Sequence, residues 1–432
     1  MISKKIISII MSTILLCGVL NGCSSKKENN VATNSDDGIV TVSFMTWESQ
    51  EMNEKILEAF DDFMDENPNI KVELVPSPLE DYSTKLNQMI TAGEAPDLFM
   101  LGDSDERSKG VSGVLYDYTS LIKADEEFID GFYNGLAEYW NVDGKYYGLP
   151  GLVNLTGILY NKTMFEEAGI EANSDWTYEE MYQISEKLMN SSNNMYGMYS
   201  MPVTPFEFGL YSETAGEEGF TSKLVNIDEV NASDSFKDGV ELYKKYLESG
   251  SIMTPDYDTS NIVSLFKEGK IPMMWYGQWV ADELIRNCSD SLDWGYLPNP
   301  AVDQSNYKTS SGCVGWSSPA SIENPEETYK VLKYMITEVY SKILPDTPVA
   351  PAAYKDASQT YFDKLVETGH EDMKLALEKM LNAEKVASNF GGAKWAGKAE
   401  KIWSESWNSI LKGEKDMSTI DIIMSDINDL IK

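Results

Sequence analysis

The chain has 432 residues, of which 42% are hydrophobic, and it contains 30 glycines and 16 prolines. This composition is that of a globular protein and excludes a disordered or fibrous one. The formal net charge of −35 gives a surface that repels nucleic acid and anionic lipid headgroups. The single histidine, His370, excludes a multi-histidine metal site and leaves histidine-dependent catalysis to one residue. We expect His370 to be a surface helix residue without function, and we predict no cofactor and no metal.

Two other residue types are scarce. Carboxylate, phosphate and sulfate ligands are usually held by guanidinium groups, and the only arginines are Arg107 and Arg286. A strongly anionic ligand would depend on these two residues or on lysines, so a neutral ligand is the simpler expectation. Beyond the N-terminal region the only cysteines are Cys288 and Cys313, which are compatible with a disulfide or with two buried thiols.

The N-terminal residues have the pattern of a secretory signal peptide. Lys4 and Lys5 precede an apolar run from Ile6 to Leu20, which is too short to span a bilayer comfortably. We therefore predict a signal peptide over residues 1–22, with an uncleaved membrane anchor as the alternative.

The tetrad Leu20-Asn21-Gly22-Cys23 resembles the lipobox of bacterial lipoproteins, although Asn21 replaces the usual Ala or Ser. The resemblance implies that Cys23 carries the lipid and that the protein is held through it at the outer face of the cell membrane. The Ser- and Asn-rich stretch that follows predicts a flexible tether over residues 23–38.

Helical and strand patterns alternate from Ile39 onward. In chain order they predict a strand over Val40–Phe44, a helix with Ile56, Phe60, Phe63 and Met64 on one face, a strand from Ile70 to Leu74, a helix from about Asp81 to Ala92, and a strand over Asp97–Leu101. This order implies parallel crossovers and an α/β sheet covered by helices.

The pattern restarts after residue 150. Thr177 and Glu180 form a predicted capping box that opens a helix through Met189. Residues 190–235 give no clear assignment. The remaining predicted helices are 234–249, 259–268 and 326–337, and residues 361–432 are nearly all helical in pattern.

Near residue 150, Asp143-Gly144 predicts a hairpin turn that leads into a strand ending at Pro150, where the chain passes from one sheet to another. The segments Asp143–Pro150, Ile158–Lys162 and Met164–Gly169 together resemble the motif of family 1 bacterial extracellular solute-binding proteins, the group that contains maltose-binding protein. Further segments resemble the family in the same order: Gly93–Leu98, Phe266–Met274, Gly277–Trp279, Gly295–Pro298, Gly312–Trp316 and Ile410–Gly413.

The resemblance implies a two-lobed periplasmic-binding-protein-like α/β fold of type II, with hinge crossings and a helical C-terminal region. Under it, lobe 1 comprises residues 39–150 and 306–346, and lobe 2 comprises residues 151–305 and 347–432. A ligand would bind in the cleft between the lobes, which close by a hinge motion.

Sugar rings present apolar C–H faces that stack on aromatic side chains, and their hydroxyls need directional polar groups. On this basis, and from the family resemblance, the predicted ligand-binding residues are Trp47, Glu48, Asp103, Tyr160, Trp279, Trp316 and Trp395. Each has an alternative role in core packing, in the hinge or on a solvated loop.

Other aromatic residues are assigned differently. Trp275, Trp403 and Trp407 are predicted to be core residues, whereas Phe208 and Tyr211 are possible ligand contacts. The spacing of Asp103 and Asp105 starts like a calcium loop, but the residues that would complete it are missing.

The resulting prediction is a monomeric, non-catalytic substrate-binding lipoprotein of an ABC importer, which captures a neutral sugar or oligosaccharide and delivers it to the membrane permease. One rival is the same fold binding a polyamine, a peptide or a polyol phosphate. A second is an extracellular glycosidase working through two carboxylates. A third is an interaction protein that has lost transport.

Overall fold

A computed structural model describes residues 38–77, 79–190, 195–200, 204–253, 261–288 and 291–432. The predicted signal peptide, Cys23 and nearly all of the predicted tether lie outside the described residues. Residues Ile39–Lys432 form one unit. Among the helices that the structure describes, none combines the length and the apolar character needed to cross a bilayer.

Eleven strands are described: β1 (Val40–Met45), β2 (Ile70–Leu74), β3 (Leu98–Gly102), β4 (Asn141–Val142), β5 (Lys145–Tyr146), β6 (Gly148–Asn161), β7 (Tyr199–Ser200), β8 (Met273–Gly277), β9 (Trp294–Leu297), β10 (Lys308–Ser317) and β11 (Glu384–Val386). Strands β4 and β5 form a separate hairpin, and the other nine form one continuous sheet.

The described α-helices are α1 (Gln50–Glu58), α2 (Asp61–Glu66), α3 (Tyr82–Ala92), α4 (Asp103–Val111), α5 (Thr119–Lys123), α6 (Glu126–Asp130), α7 (Leu136–Tyr139), α8 (Lys162–Glu167), α9 (Tyr178–Leu188), α10 (Pro205–Thr214), α11 (Asp234–Ser249), α12 (Ile262–Lys267), α13 (Ala281–Cys288), α14 (Pro325–Tyr334), α15 (Tyr340–Ile343), α16 (Lys355–Glu367), α17 (Glu371–Asn382), α18 (Ala396–Leu411) and α19 (Thr419–Ile431). A π-helical turn over Met335–Val339 joins α14 to α15.

The first three long strands are parallel, as predicted. Strand β1 pairs with β2 in the register Val42 to Val72, and with β3 through Phe44 and Leu98. The alternation of apolar residues in β1 places Val42 and Phe44 in the core, where both are fully buried. The carboxyl ends of β1 and β3 therefore lie at the same edge of the sheet; a short turn joins β1 to α1, and α4 follows β3 directly.

Strand β6 changes its partners along its length. Gly148–Leu155 runs antiparallel to β10, whereas Thr156–Tyr160 runs antiparallel to β8. On its other edge, Ile158–Asn161 runs antiparallel to β9. The prediction that this strand ends at Pro150 is wrong, because β6 continues through Pro150, which pairs with Gly315 where the register between β6 and β10 skips Gly151. A proline is tolerated there because the ladder is already interrupted. The change of partners comes after Leu155.

Strand β10 is shared in the same way. Its first residues, Lys308–Ser310, pair with β11, and its last residues, Val314–Ser317, pair with β3. A third segment crosses at the same place, since the amide of Val153 donates to the carbonyl of Pro351 at 2.9 Å and that of Ala353 donates to Gly151 at 2.8 Å. Three segments, β6, β10 and the residues around Pro351, therefore run side by side. They lie between the part of the sheet that contains β1, β2 and β3 and the part that contains β7, β8 and β9.

Most of the buried apolar side chains fall into two large clusters. We call the first core the cluster that contains Phe44, Leu149 and Trp316, and the second core the cluster that contains Phe208, Phe236 and Trp407. The C-terminal helices are divided between them, because α16 and α17 pack in the first core and α18 and α19 in the second.

Local predictions are largely confirmed. Thr177 and Glu180 form both bonds of the capping box, and Asp143 and Gly144 have positive φ angles of 52° and 80°, as a two-residue hairpin turn requires. The unassigned region contains α10, which begins with its own capping box at Thr204. Residues 191–194 and 201–203 of that region lie outside the described residues.

Two other predictions have definite outcomes. Cys288 and Cys313 are both buried and free, which resolves the two alternatives in favour of thiols. His370 is partly buried and precedes α17, with its ring stacked on the indole of Trp294 at a centroid distance of 4.1 Å. The expectation of a surface helix position for His370 is therefore wrong, because the flat ring covers a buried indole.

The side chain of Gln278 is fully buried beside the point where β6 changes partners. Its Nε2 donates to the carbonyl of Val153 at 2.9 Å, and its Oε1 accepts from the amide of Leu155 at 2.8 Å. One side chain thus completes the hydrogen bonding of both backbone groups, which would otherwise be buried without partners.

We expect Gln278→Leu to lower the free energy of unfolding by about 2–4 kcal/mol, because two buried backbone groups lose their partners. Chemical denaturation monitored by tryptophan fluorescence measures the loss. The matched control is Gln183→Leu, at an exposed glutamine bonded to Glu179 at 3.1 Å, which should change stability little. Equal effects of the two substitutions would contradict the role given to Gln278.

Candidate functional site

The turn after β1 holds the first two predicted ligand residues. Buried Thr46 donates to Oδ1 of Asn53 at 2.6 Å and accepts from the amide of Glu48 at 2.9 Å, and Asn53 donates to the carbonyl of Glu48 at 3.0 Å. These bonds fix Trp47 and Glu48, both partly buried, at the sheet edge. The Trp47 indole lies edge-on to the ring of Tyr82 at 5.3 Å.

Glu48 is a carboxylate in a poorly solvated position. Burial raises the pKa of Glu48, and its charge in turn helps to raise the pKa of Tyr340. The hydroxyl of Tyr340 accepts from Nε1 of Trp316 at 2.9 Å and lies beside Gly151 of β6. Glu48 is therefore located near the crossing strands.

The short helical turn Gln278–Val280, directly after β8, holds Trp279. Its indole is partly buried, lies 5.7 Å from the ring of Tyr276, and covers Gly277 so closely that a Cβ there would stand 2.0 Å from the indole. Gly277 is thus required by the packing of Trp279. Helix α1, which follows Trp47 and Glu48, and helix α13, which follows Trp279, are joined by an ion pair, since Arg286 of α13 lies 3.6 Å from Glu51 of α1.

The loop between β11 and α18 holds Trp395. Phe390 anchors this loop in the second core, with ring centroids 5.1 Å from Phe206 and 5.1 Å from Trp395. Trp395 is partly buried and directly precedes α18. Its indole is held from one side by Phe390.

Asp103, the first residue of α4, is 6% exposed and its carboxylate is occupied by protein groups. Oδ2 accepts from the amide of Cys313 at 2.9 Å, and Oδ1 accepts from Asn389 at 3.2 Å with Arg107 at 3.7 Å. Burial raises the pKa of Asp103, and these three partners oppose the rise. Asp105 is exposed and pairs with Lys109 instead.

Tyr160 and Trp316 lie in the cores. Tyr160 is 6% exposed and packs on Phe165 at 4.7 Å within the second core. Trp316 is fully buried and meets Phe44 edge-on at 6.2 Å. The predicted ligand roles of Asp103, Tyr160 and Trp316 stay predictions, but each side chain has partners within the protein.

Four of the seven predicted residues therefore have partly exposed side chains at the ends of elements: Trp47, Glu48, Trp279 and Trp395. We call these four residues the candidate site. Of the others weighed, Trp275 and Trp407 are core residues as predicted, and Phe208 is also buried in the second core. Trp403 and Tyr211 are partly buried against that core.

The residues that connect these elements are Gln278, Asn389 and Arg107. No local pattern predicts Gln278 or Asn389, and the sequence indicates Arg107 only as a scarce cation. All three bond to partners far away in sequence, which no local spacing reveals. Within the described residues, no group of three or more His, Cys, Asp or Glu side chains is placed to hold a metal ion.

The comparisons with known proteins decide the family. The model of the bacterial extracellular solute-binding protein family matches residues 47–342. The chain belongs to this family. Among relatives, this solute-binding protein is 24% identical over 362 residues to a multiple sugar-binding protein of Streptococcus mutans, covering 78% of this chain and 80% of the relative.

Solved structures confirm the fold. The solute-binding protein is similar to the ABC substrate-binding protein of Listeria monocytogenes solved with cycloalternan, with a TM-score of 0.72 and 22% identity over 90% of this chain and 97% of the other. It is also similar to the cyclic α-maltosyl-1,6-maltose binding protein of Arthrobacter globiformis, with a TM-score of 0.75 and 15% identity over 91% and 100%. The two-lobed type II fold implied by the resemblance is confirmed.

Glu106 of this solute-binding protein is a fully buried carboxyl group. Burial raises the pKa of Glu106 to about 8, against the opposing effects of the Arg107 guanidinium and the Tyr147 backbone amide, and with a further rise from Asp103. Glu106 is then protonated in the folded protein up to about pH 8, but ionises near 4.5 in the unfolded chain.

Because folding takes up a proton between these values, we expect the stability contributed by Glu106 to be complete below about pH 4.5 and to fall as pH rises to about 8. Glu106→Gln removes this pH dependence, because an amide does not ionise. The difference in stability between the variant and the wild type should therefore move in favour of the variant as pH rises over that range. Urea denaturation at a series of pH values measures the difference. Glu58→Gln, at an exposed position, is the control, and parallel pH profiles of the wild type and Glu106→Gln would contradict the assignment.

Proposed function

We propose that this solute-binding protein is the substrate-binding lipoprotein of an ABC importer, and that it captures a neutral sugar or oligosaccharide between its lobes and passes it to the permease. It acts as a monomer, without catalysis. Solute binding shifts the population from the open to the closed arrangement, because the solute contacts both lobes only when they are closed. The lobe boundaries at residues 150, 305 and 346 belong to this proposal.

The proposal of a neutral ligand rests on one observation, which is that both arginines are already bonded to other groups of the protein. Arg107 is fully buried and donates to the carbonyl of Tyr139 and to Asn389, each at 2.9 Å. Arg286 pairs with Asp282 on its own helix and with Glu51 on α1. A site without a free guanidinium suits a ligand that carries no carboxylate or phosphate.

The candidate site supplies what a sugar needs. Trp47, Trp279 and Trp395 offer aromatic surface at element ends, and Glu48 offers an acceptor for hydroxyl groups. The ligands of several relatives also support a carbohydrate, since these relatives include a maltotriose-binding protein of Pyrococcus abyssi and a galactooligosaccharide-binding protein of Bacillus subtilis, at 24% and 23% identity.

The rivals differ in the ligand or in the reaction. Occupied arginines weigh against a polyol phosphate, whereas the carboxylate of Glu48 keeps a polyamine as the principal alternative ligand. A glycosidase needs a pair of carboxyl groups about 5–10 Å apart in the cleft, and Glu48 is the one carboxylate of the candidate site.

The decisive experiment is thermal unfolding of the full chain against mono- and oligosaccharides, with polyamines, peptides and a polyol phosphate included. A ligand at a hundred times its dissociation constant stabilises by about 2.7 kcal/mol, which is a visible shift. We expect a shift with one class of glycan and no release of smaller sugars from it. A shift with a polyamine alone would overturn the proposed ligand, and released sugar would overturn the non-catalytic role.

In the same assay, Trp279→Ala should weaken binding of the stabilising glycan about tenfold or more, because a ring that stacks on the sugar is lost. Trp403→Ala is the matched control, since its indole is also partly buried but lies on α18 against the second core. Isothermal titration calorimetry gives both affinities. Equal affinities of the two variants would remove Trp279 from the site.

The lipid anchor is tested separately. Cys23→Ser should release the protein from the membrane fraction, because it removes the residue that carries the lipid. Cys17→Ser changes a cysteine inside the predicted signal peptide and should leave the protein with the membrane. Fractionation with immunoblotting measures both, and a membrane-bound Cys23→Ser variant would favour the uncleaved anchor.

A further inference from the structure

A buried polar network joins α4 to the loop between β11 and α18. The guanidinium of Arg107 donates through Nη2 to Oδ1 of Asn389 at 2.9 Å and through Nη1 to the carbonyl of Tyr139 at 2.9 Å. Asn389 in turn donates to Oδ1 of Asp103 at 3.2 Å and to the hydroxyl of Tyr139 at 3.2 Å. Every member of this network thus has at least two partners within it or in the adjoining backbone.

The backbone of the loop is shaped to fit α4. The amide of Gly391 donates to Oδ1 of Asn389 at 2.8 Å, and Gly391 and Gly392 have φ angles of 62° and 70°, which favour glycine. A Cβ at Gly392 would stand 2.6 Å from Cβ of Arg107 and 2.7 Å from the carbonyl oxygen of Ser104. The loop therefore lies directly on α4, and a side chain at Gly392 would separate them.

The two sides of this contact belong to different parts of the fold. Helix α4 follows β3, in the part of the sheet that contains β1 and β2. The loop is fastened to the second core by Phe390. The network meets β10 where that strand crosses, since Asp103 accepts from the amide of Cys313 and Ser388 donates to the carbonyl of Ser311 at 3.1 Å.

We propose that Asp103, Arg107 and Asn389 form a latch that holds the two lobes together in the absence of solute. The latch is separate from the candidate site, and it uses the two-lobed fold without depending on which solute binds. Arg107 acts as a positioning residue, because it fixes Asn389 and, through it, the glycine loop that leads to Trp395.

The strength of the latch follows from its burial. Arg107 is fully buried and its guanidinium lies 4.2 Å from the centre of the Tyr139 ring, so its charge is shielded from water and depends on its protein partners. If the loop separates from α4, the guanidinium of Arg107 and the carboxylate of Asp103 both lose their bond to the side-chain amide of Asn389. Hydrogen bonds to charged groups contribute enough that losing one changes an equilibrium by about tenfold or more.

The test is small-angle X-ray scattering of the full chain without any solute, combined with hydrogen–deuterium exchange. Arg107→Met and Asn389→Ala should each reduce the closed-to-open ratio about tenfold or more, which raises the radius of gyration. Exchange should become faster in both α4 and residues 387–395. A role confined to local packing would leave the radius of gyration unchanged.

The control is Lys109→Met on the same helix. Lys109 pairs with Asp105 four residues earlier at 3.5 Å, with the same spacing as Arg107 and Asp103, but Asp105 is exposed. This variant should keep the wild-type scattering curve. If Arg107→Met fails to fold, Asn389→Ala decides, because it keeps the pair of Asp103 and Arg107. Wild-type scattering from folded Asn389→Ala would overturn the latch, whatever solute the protein binds.

Discussion

Strands β6 and β10 are each shared between two sets of partners, and this sharing fixes where the rest of the chain lies. Where each strand passes from one part of the sheet to the other, its buried backbone groups must keep their hydrogen-bond partners. Gln278 completes the bonding of Val153 and Leu155 at the change of partners, and the segment around Pro351 adds bonds on another edge. Because the crossing strands are continuous, the ends of β1, β3 and β8 are held at a defined spacing around them.

The charges of the chain make the interior of this region unusual. A protein with a net charge of −35 has two arginines, and one of them is fully buried beside two carboxyl groups, those of Asp103 and Glu106. One guanidinium cannot neutralise both, and burial accordingly raises the pKa of Glu106 to about 8. The interior therefore holds one guanidinium beside two carboxyl groups, and burial raises the pKa of both. An arginine used in this way is withdrawn from ligand binding, which connects the folding of the crossing to the chemistry of the solute.

The elements could be predicted from the sequence where short-range patterns determine them. Apolar alternation located β1 and β2, the capping box at Thr177 located α9, and Asp143-Gly144 located a hairpin turn. The predicted end of a strand at Pro150 is wrong, because a proline usually ends a strand and the local change of register that accommodates it depends on the distant strand β10. The candidate site could be predicted only as a set of aromatic residues. Whether an indole is buried like that of Trp316 or partly exposed like that of Trp279 depends on distant partners, and no local pattern contains them.

A binding protein of this kind needs a latch of limited strength. If the closed arrangement were strongly favoured without solute, the cleft would be shut before a solute could enter, and the apparent affinity would fall with the small open fraction. If it were not favoured at all, the solute alone would have to hold the lobes together. A buried ion pair suits the intermediate case, because the cost of removing Asp103 and Arg107 from water offsets much of their attraction. The net preference is then set by the neutral side chain that bridges them, Asn389, whose bonds to Arg107 at 2.9 Å and to Asp103 at 3.2 Å form or break with the loop.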